Sequence, residues 1–218
     1  MRFDKKMLNL YFVAGTQDCR HLSGDKAEHL LRILAQALQA GISCYQFRDK
    51  GEHSLQCSPS EQKQLAKACQ KLCQQYGVPF ILNDMVELAF ELGADGIHVG
   101  QGDQSITEIA AIAPKPMIFG LSVNTLEQAW HWQAVREVSY FGVGPIFPTI
   151  SKADQKPAVG MDFPKTLRLA GIDKPLVAIG GITHQHASML RQHGADGVAV
   201  ISAITLADDI KQAVEQLK

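Results

Sequence analysis

No stretch of the 218 residues approaches the roughly 20 consecutive apolar residues that a membrane-spanning helix requires. The opening, MRFDKKMLNLYFVAG, starts charged, but its apolar run is too short for a secretory signal and reads as a first strand. Charge of one sign is also missing: 21 Lys and Arg stand against 22 Asp and Glu, a formal net charge of −1. This balance argues against nucleic acid or an anionic membrane as the main partner, so any anion site has to be a local cluster. There is no CxxC pair. The five cysteines, at 19, 44, 57, 69 and 73, are an odd number and fit a reducing cytoplasm. Cys69 and Cys73 share a helical face at i, i+4. With no further Cys or His at metal-ligand spacing, they read as two reduced thiols rather than a metal pair. No break in composition marks a linker, so residues 1–218 read as one domain.

What is present is a repeated unit: a short apolar run, a polar or glycine-rich corner, then a helical segment. LNLYFVAG precedes KAEHLLRILAQALQA, and ISCYQF precedes PSEQKQLAKACQKLCQQYG. VPFIL leads into DMVELAFELG, DGIHVG into SITEIAAIA, and PMIFGLSV into TLEQAWHWQAVR. VSYFGVG runs through a long loop to FPKTLRLAG, KPLVAIGG leads into HQHASMLRQHG, and DGVAVI into SAITLADDIKQAVEQL. Alternating β and α implies a parallel sheet. Eight units in this length suit a closed α/β architecture, the (β/α)8 TIM barrel, with a doubly wound open sheet as the main rival. GADG occurs at 93–96 and again at 194–197. Each copy reads as a glycine helix stop and a turn into a strand, with a hint of a repeated half-barrel.

In such barrels ligands bind at the C-terminal ends of the strands. The unusual polar residues collect there. YQFRDK, residues 45–50, puts Gln46, Arg48 and Lys50 on one face of strand two by the two-residue period. Burying such cations unpaired is costly, which points to an anion between them. The alternative is that Arg48 pairs with an acidic neighbour inside the barrel. Asn83 and Asp84 end strand three, His98, Gln101 and Asp103 follow strand four, and Ser122 and Asn124 end strand five. Asp84 and Asp103 are hard oxygen ligands suited to Mg²⁺ shared with a phosphate, or else caps of the helices that follow them. GPIFPTISK after strand six reads as a loop that closes over a ligand, followed by a polar tail, ADQKPAVG. Gly180-Gly181 and Ser202 stand where these barrels commonly bind a phosphate, or else make tight turns. His98 reads as a base or as a hydrogen-bonded core histidine, and the other seven histidines form no metal spacing. Cations, a metal site and a second anion site suggest an enzyme that joins two phosphorylated substrates.

YQFRDK, ILNDMVELAFELGADGIHVGQGD, GLSVNTLEQA, YFGVGPIFPTISKAD, VAIGGIT and GVAVISAI, in this order, resemble the thiamine phosphate synthase family. The resemblance covers strand two to the end. It implies a transferase that joins 4-amino-5-hydroxymethyl-2-methylpyrimidine diphosphate to 4-methyl-5-(2-phosphoethyl)thiazole, giving thiamine monophosphate and pyrophosphate. It implies Mg²⁺ on Asp84 and Asp103. It gives Gln46, Arg48, Lys50, Asn83, Ser122 and Lys152 to the pyrimidine diphosphate, with Arg48, Lys50 and Lys152 stabilising the leaving group. It gives Thr149, Ile150, Ser151, Gly181, Ile201 and Ser202 to the thiazole phosphate. The implied dissociative reaction needs no base, because the thiazole nitrogen already carries a lone pair. Departures from the family pattern are VAGTQD after strand one, SVN after strand five and QFR in strand two. Rival readings are the related thiazole tautomerase, which handles no diphosphate, a sugar-phosphate epimerase, and a non-catalytic thiamine phosphate sensor. The expected partners are small molecules in the cytoplasm, and the oligomeric state is left open, a homo-oligomer included.

Overall fold

The computed structural model describes residues 3–149 and 156–218. Eight parallel strands form a closed barrel in sequence order. They are β1 (Leu10–Ala14), β2 (Cys44–Phe47), β3 (Phe80–Asn83), β4 (Gly96–Val99), β5 (Ile118–Val123), β6 (Tyr140–Val143), β7 (Leu176–Ile179) and β8 (Gly197–Val200). The register Leu10↔Val198 and Tyr11↔Ala199 joins the last strand to the first, which rules out the open sheet. The helices between strands are α1 (Lys26–Ala40), α2 (Pro59–Tyr76), α3 (Val86–Leu92), α4 (Ile106–Ile112), α5 (Leu126–Gln133), α6 (Phe163–Leu169) and α7 (His184–Gln192). The local signals account for their ends. The Asp25 carboxylate accepts from Ala27 N and Glu28 N to open α1, and Gly41 at φ 95° closes it. Pro59 opens α2 and Gly77, at φ 66°, ends it.

The last unit differs from its sequence reading as a single helical segment. It divides into α8 (Ser202–Thr205) and α9 (Ile210–Leu217). Asp209 starts the second helix by accepting from Gln212 N at 2.9 Å, so a capping carboxylate inside the run resets the helix.

The strand period of two makes two cores. One set, including Phe12, Tyr45, Phe47, Phe80, Phe141 and Val198, points outward into the helices. The other, including Tyr11, Cys44, Ile81, Ile118, Tyr140 and Ala199, fills the barrel. Cys69 and Cys73 belong to the outer core, where burial pushes the Cys69 thiol up to about 12. Each turn of helix that feeds β4 and β8 ends in a GADG copy, and each copy makes the same bonds. Asp95 Oδ2 accepts from Phe80 N at 3.0 Å, and Asp196 Oδ2 accepts from Leu176 N at 2.9 Å. Their own backbone N–H groups donate back to Phe80 O and Leu176 O. The motif therefore stitches β3 to β4 and β7 to β8 at the N-terminal end of the barrel, away from the ligand end.

Candidate active site

At the C-terminal ends of the strands lies a cavity of about 390 Å³, lined from every strand end except that of β1. Its charged wall comes from β2, β3 and β4. Arg48 is buried, 7% exposed, while Lys50 is half-exposed. Lys50 Nζ donates to Asp84 Oδ2 at 2.8 Å. Asp84 is held at φ 60°, a conformation that non-glycine residues seldom adopt. Such a position is retained where surrounding structure determines it, and it marks candidate functional sites. Burial holds the Asp84 carboxyl above the usual carboxylate range. The Lys50 ammonium opposes that shift, and the adjacent Asp103 carboxyl, within hydrogen-bonding reach, adds to it. The Lys50 ammonium is raised in turn, chiefly by its bond to Asp84.

Neither carboxylate caps a helix. The residue at the N-cap of α3 is Met85 and that of α4 is Ser105, and neither cap carries a side-chain bond. Asp103 Oδ2 instead accepts from Gly100 N at 2.7 Å, which folds the loop after β4 so that the carboxyl faces Asp84. Among the described residues no group of three or more His, Cys, Asp or Glu is placed to hold a metal. Two facing carboxylates remain, an oxygen-only pair. That is a donor set for a hard cation that completes its shell with water and phosphate.

The opposite wall is made of backbone. Gly180 and Gly181 sit at φ 104° and 64°. A Cβ on Gly180 would lie 2.6 Å from Pro145 Cα, and one on Gly181 would lie 2.7 Å from Phe147 Cβ. Ile146 N donates to Ile179 O at 2.9 Å and Phe147 N to Gly180 O at 3.0 Å. The glycines are thus required by the close approach of the segment after β6, whatever they bind. Thr149, Gly181, Ile201 and Ser202 line the cavity. Ile150, Ser151 and Lys152 lie outside the described residues.

Asn83 and Ser122 also line the cavity, but Gln46 does not. Gln46 is 5% exposed and turned inward, donating from Nε2 to the Tyr11 hydroxyl at 2.9 Å. The opposite face of the same segment behaves as the alternation requires. Tyr45 and Phe47 enter the outer core, and Asp49 ties down two loops by accepting from Thr16 N, Leu55 N and Gln62 Nε2. His98 is a hydrogen-bonded core histidine, with Nδ1 3.1 Å from Tyr140 Oη and Nε2 3.0 Å from Ser122 Oγ.

Two contributors escaped the sequence reading. Lys156 lines the cavity from what read only as a polar loop tail. Asp18 is buried close to Arg48. Burial pushes its carboxyl up to about 6, against the opposing pull of Gly15 N–H and the Arg48 charge. Asp18 belongs to VAGTQD, so the departure from the family pattern was the available signal. It gives Arg48 the acidic neighbour of the alternative reading, yet Arg48 still faces the cavity.

A closed parallel barrel whose strand ends surround a cavity of fixed cations and paired carboxylates is that of an enzyme acting on small anionic ligands. The family model described as thiamine monophosphate synthase matches residues 10–204. The chain is 57% identical over 218 residues to the thiamine-phosphate synthase of Haemophilus influenzae, covering 100% of this chain and 96% of that one. It is 58% identical over 210 residues to the thiamine-phosphate synthase of Pasteurella multocida, covering 96% and 95%. Among solved structures, a thiamine phosphate pyrophosphorylase from Pyrococcus furiosus superposes with a TM-score of 0.79 at 29% identity, over 98% of this chain and 95% of that one. The chain belongs to the thiamine monophosphate synthase family, whose members are transferases.

Proposed function

We propose that this cavity carries out the family's reaction, the joining of 4-amino-5-hydroxymethyl-2-methylpyrimidine diphosphate to 4-methyl-5-(2-phosphoethyl)thiazole with release of pyrophosphate, and that its two walls divide the work. The observation that carries the reading is the meeting of Arg48, Lys50, Asp84 and Asp103 on one side of a single cavity. The charged wall takes the diphosphate. Arg48 and Lys50 face the leaving group, and their attraction grows as negative charge builds on it, so they contribute more in the transition state than in the ground state. Lys152 and Asn83 complete this side. Asp84 and Asp103 hold Mg²⁺, which when bound neutralises phosphate charge and so assists departure of pyrophosphate.

The glycine wall takes the thiazole phosphate, with Thr149, Ile150, Ser151, Gly181, Ile201 and Ser202 around it. Holding both substrates in one cavity aims the thiazole nitrogen at the methylene carbon and replaces a bimolecular encounter by a positioned one. The nitrogen attacks with its own lone pair, so no base is needed. This agrees with a site in which His98 is bonded to Tyr140 and Ser122. No helix among the described residues is long and apolar enough to cross a membrane, and we place the reaction in the cytoplasm.

The test is direct. Purified protein is mixed with both substrates and Mg²⁺, and pyrophosphate and thiamine phosphate are followed together. Product that requires both substrates and the metal is the expected result. Folded protein that yields none overturns the reading.

A further inference from the structure

We propose that Tyr11, Tyr140 and His98 are positioning residues that fix which atoms Gln46 and Ser122 present to the pyrimidine diphosphate. The inference rests on the reading of the cavity as the site of that substrate.

Five side chains from five strands form one hydrogen-bonded line through the barrel. Gln46 Nε2 donates to Tyr11 Oη at 2.9 Å. Tyr11 Oη lies 2.8 Å from Tyr140 Oη, which lies 3.1 Å from His98 Nδ1. His98 Nε2 lies 3.0 Å from Ser122 Oγ. The fold clears space for this line. A Cβ on Gly120 would fall 2.3 Å from Tyr140 Cζ and 2.4 Å from His98 Nδ1, and one on Gly142 would fall 2.8 Å from His98 Cε1. Both phenols are fully buried, and burial pushes their pKa values up, which keeps the hydroxyl protons in place.

A hydroxyl has one proton, and a neutral imidazole has one donor nitrogen and one acceptor. The first bond therefore sets the rest. Tyr11 accepts from Gln46, so its own proton goes to Tyr140. The neighbouring Cys44 sulfur, whose proton goes to Pro79 O, is a weak acceptor and competes poorly. Tyr140 donates to His98 Nδ1, and the ring then carries its proton on Nε2 and donates to Ser122 Oγ. The two ends follow. Gln46 has its NH₂ turned to Tyr11, which directs Oε1 the other way, an acceptor matched to the exocyclic amine of the pyrimidine. Ser122 accepts from the ring and is left with its O–H, a donor matched to a phosphate oxygen. The cavity reaches down to the strand level at which this line crosses the barrel. Its floor includes Ala199, which pairs with Tyr11, one inward position below the level of Gln46 on β1.

The experiment compares inhibition by the 4-oxo analogue of the pyrimidine diphosphate with the KM for the 4-amino substrate, in the wild type, Tyr11→Phe and Tyr140→Phe. The 4-oxo group presents an acceptor to Gln46 Oε1, so the wild type discriminates against it. Either Phe variant frees the amide to turn over, and the discrimination ratio falls about tenfold or more; inhibition by Mg²⁺-pyrophosphate stays as in the wild type in Tyr11→Phe, where Tyr140 still donates to His98, and weakens in Tyr140→Phe, which releases the Ser122 end. An unchanged ratio in folded variants overturns the proposal. Should neither variant fold, ¹⁵N NMR of histidine-labelled wild type decides. The proton on His98 Nε2 supports the assigned direction, and the proton on Nδ1 overturns it. That measurement needs no substrate, so a wild type that forms no thiamine phosphate fails the functional reading while the tautomer still tests the line itself.

Discussion

The β3–β4 and β7–β8 units are the same piece of structure with different upper ends. At their N-terminal ends both use GADG, and Asp95 and Asp196 make matching bonds to Phe80 N and Leu176 N. Counted from those strand starts, Asp84 and Gly180 occupy the same position, and both have positive φ. One unit then turns a carboxylate into the cavity, while the other lets the chain after β6 lie against its backbone. The backbone plan is shared, and the chemistry lives in what each strand end carries, as expected where one end of a barrel gives stability and the other function.

The largest effect should come from the charged side. Arg48→Ala should lower kcat/KM by about 10³-fold or more while the far-ultraviolet circular dichroism is kept, because it removes a buried fixed charge from the leaving group. Near-wild-type turnover by the folded variant would break the assignment of this wall to the diphosphate. Asp84→Gly makes the β3 end resemble the β7 end. Activity should fall about 10²-fold with a raised Mg²⁺ requirement. Stability should stay within about 1 kcal/mol, because relief at φ 60° offsets the loss of a half-exposed ion pair. A large loss of denaturation midpoint would show instead that Asp84 is a structural residue.

Asp196→Ala probes the shared floor. It should cost about 2–3 kcal/mol in urea unfolding, since it orphans Leu176 N–H and removes the carboxylate partner of Arg168 Nη2, and leave KM for both substrates unchanged. A shifted KM would mean that floor and rim are not separable.

The smallest effect concerns Asp18, beside the charged wall. Its folded pKa, about 6, is above the ordinary value of 3.8. Below pH 4 both folded and unfolded states are protonated and the residue has no effect. Between about pH 4 and 6 the unfolded state ionises first, so the protein loses stability as pH rises. Asp18→Asn should therefore gain about 1–2 kcal/mol over the wild type above pH 6, a gain that fades by pH 4. A pH-independent difference between the two proteins would remove burial of that carboxyl as the cause.

The sequence by itself determined the eightfold alternation, the faces of YQFRDK and the family. Strand and helix periods, glycine stops and the order of short motifs are local properties that survive without coordinates. It also indicated that Arg48, Lys50, Asp84 and Asp103 belong at one end. Tertiary structure alone decided what lies between residues far apart in the chain. Asp84 and Asp103 looked equally suited to capping until the loop after β4 turned one toward the other. Gly180 and Gly181 read as a phosphate cradle or a tight turn, and only the fold showed that Pro145 and Phe147 lie against them. Tyr11 and Tyr140 looked like ordinary strand residues, yet closure brings their hydroxyls within 2.8 Å across a separation of 129 residues. The physical reason is common to all three. A side chain's neighbours along the strand are set by the two-residue period, whereas its neighbours across the barrel are set by register and closure, which no local pattern encodes.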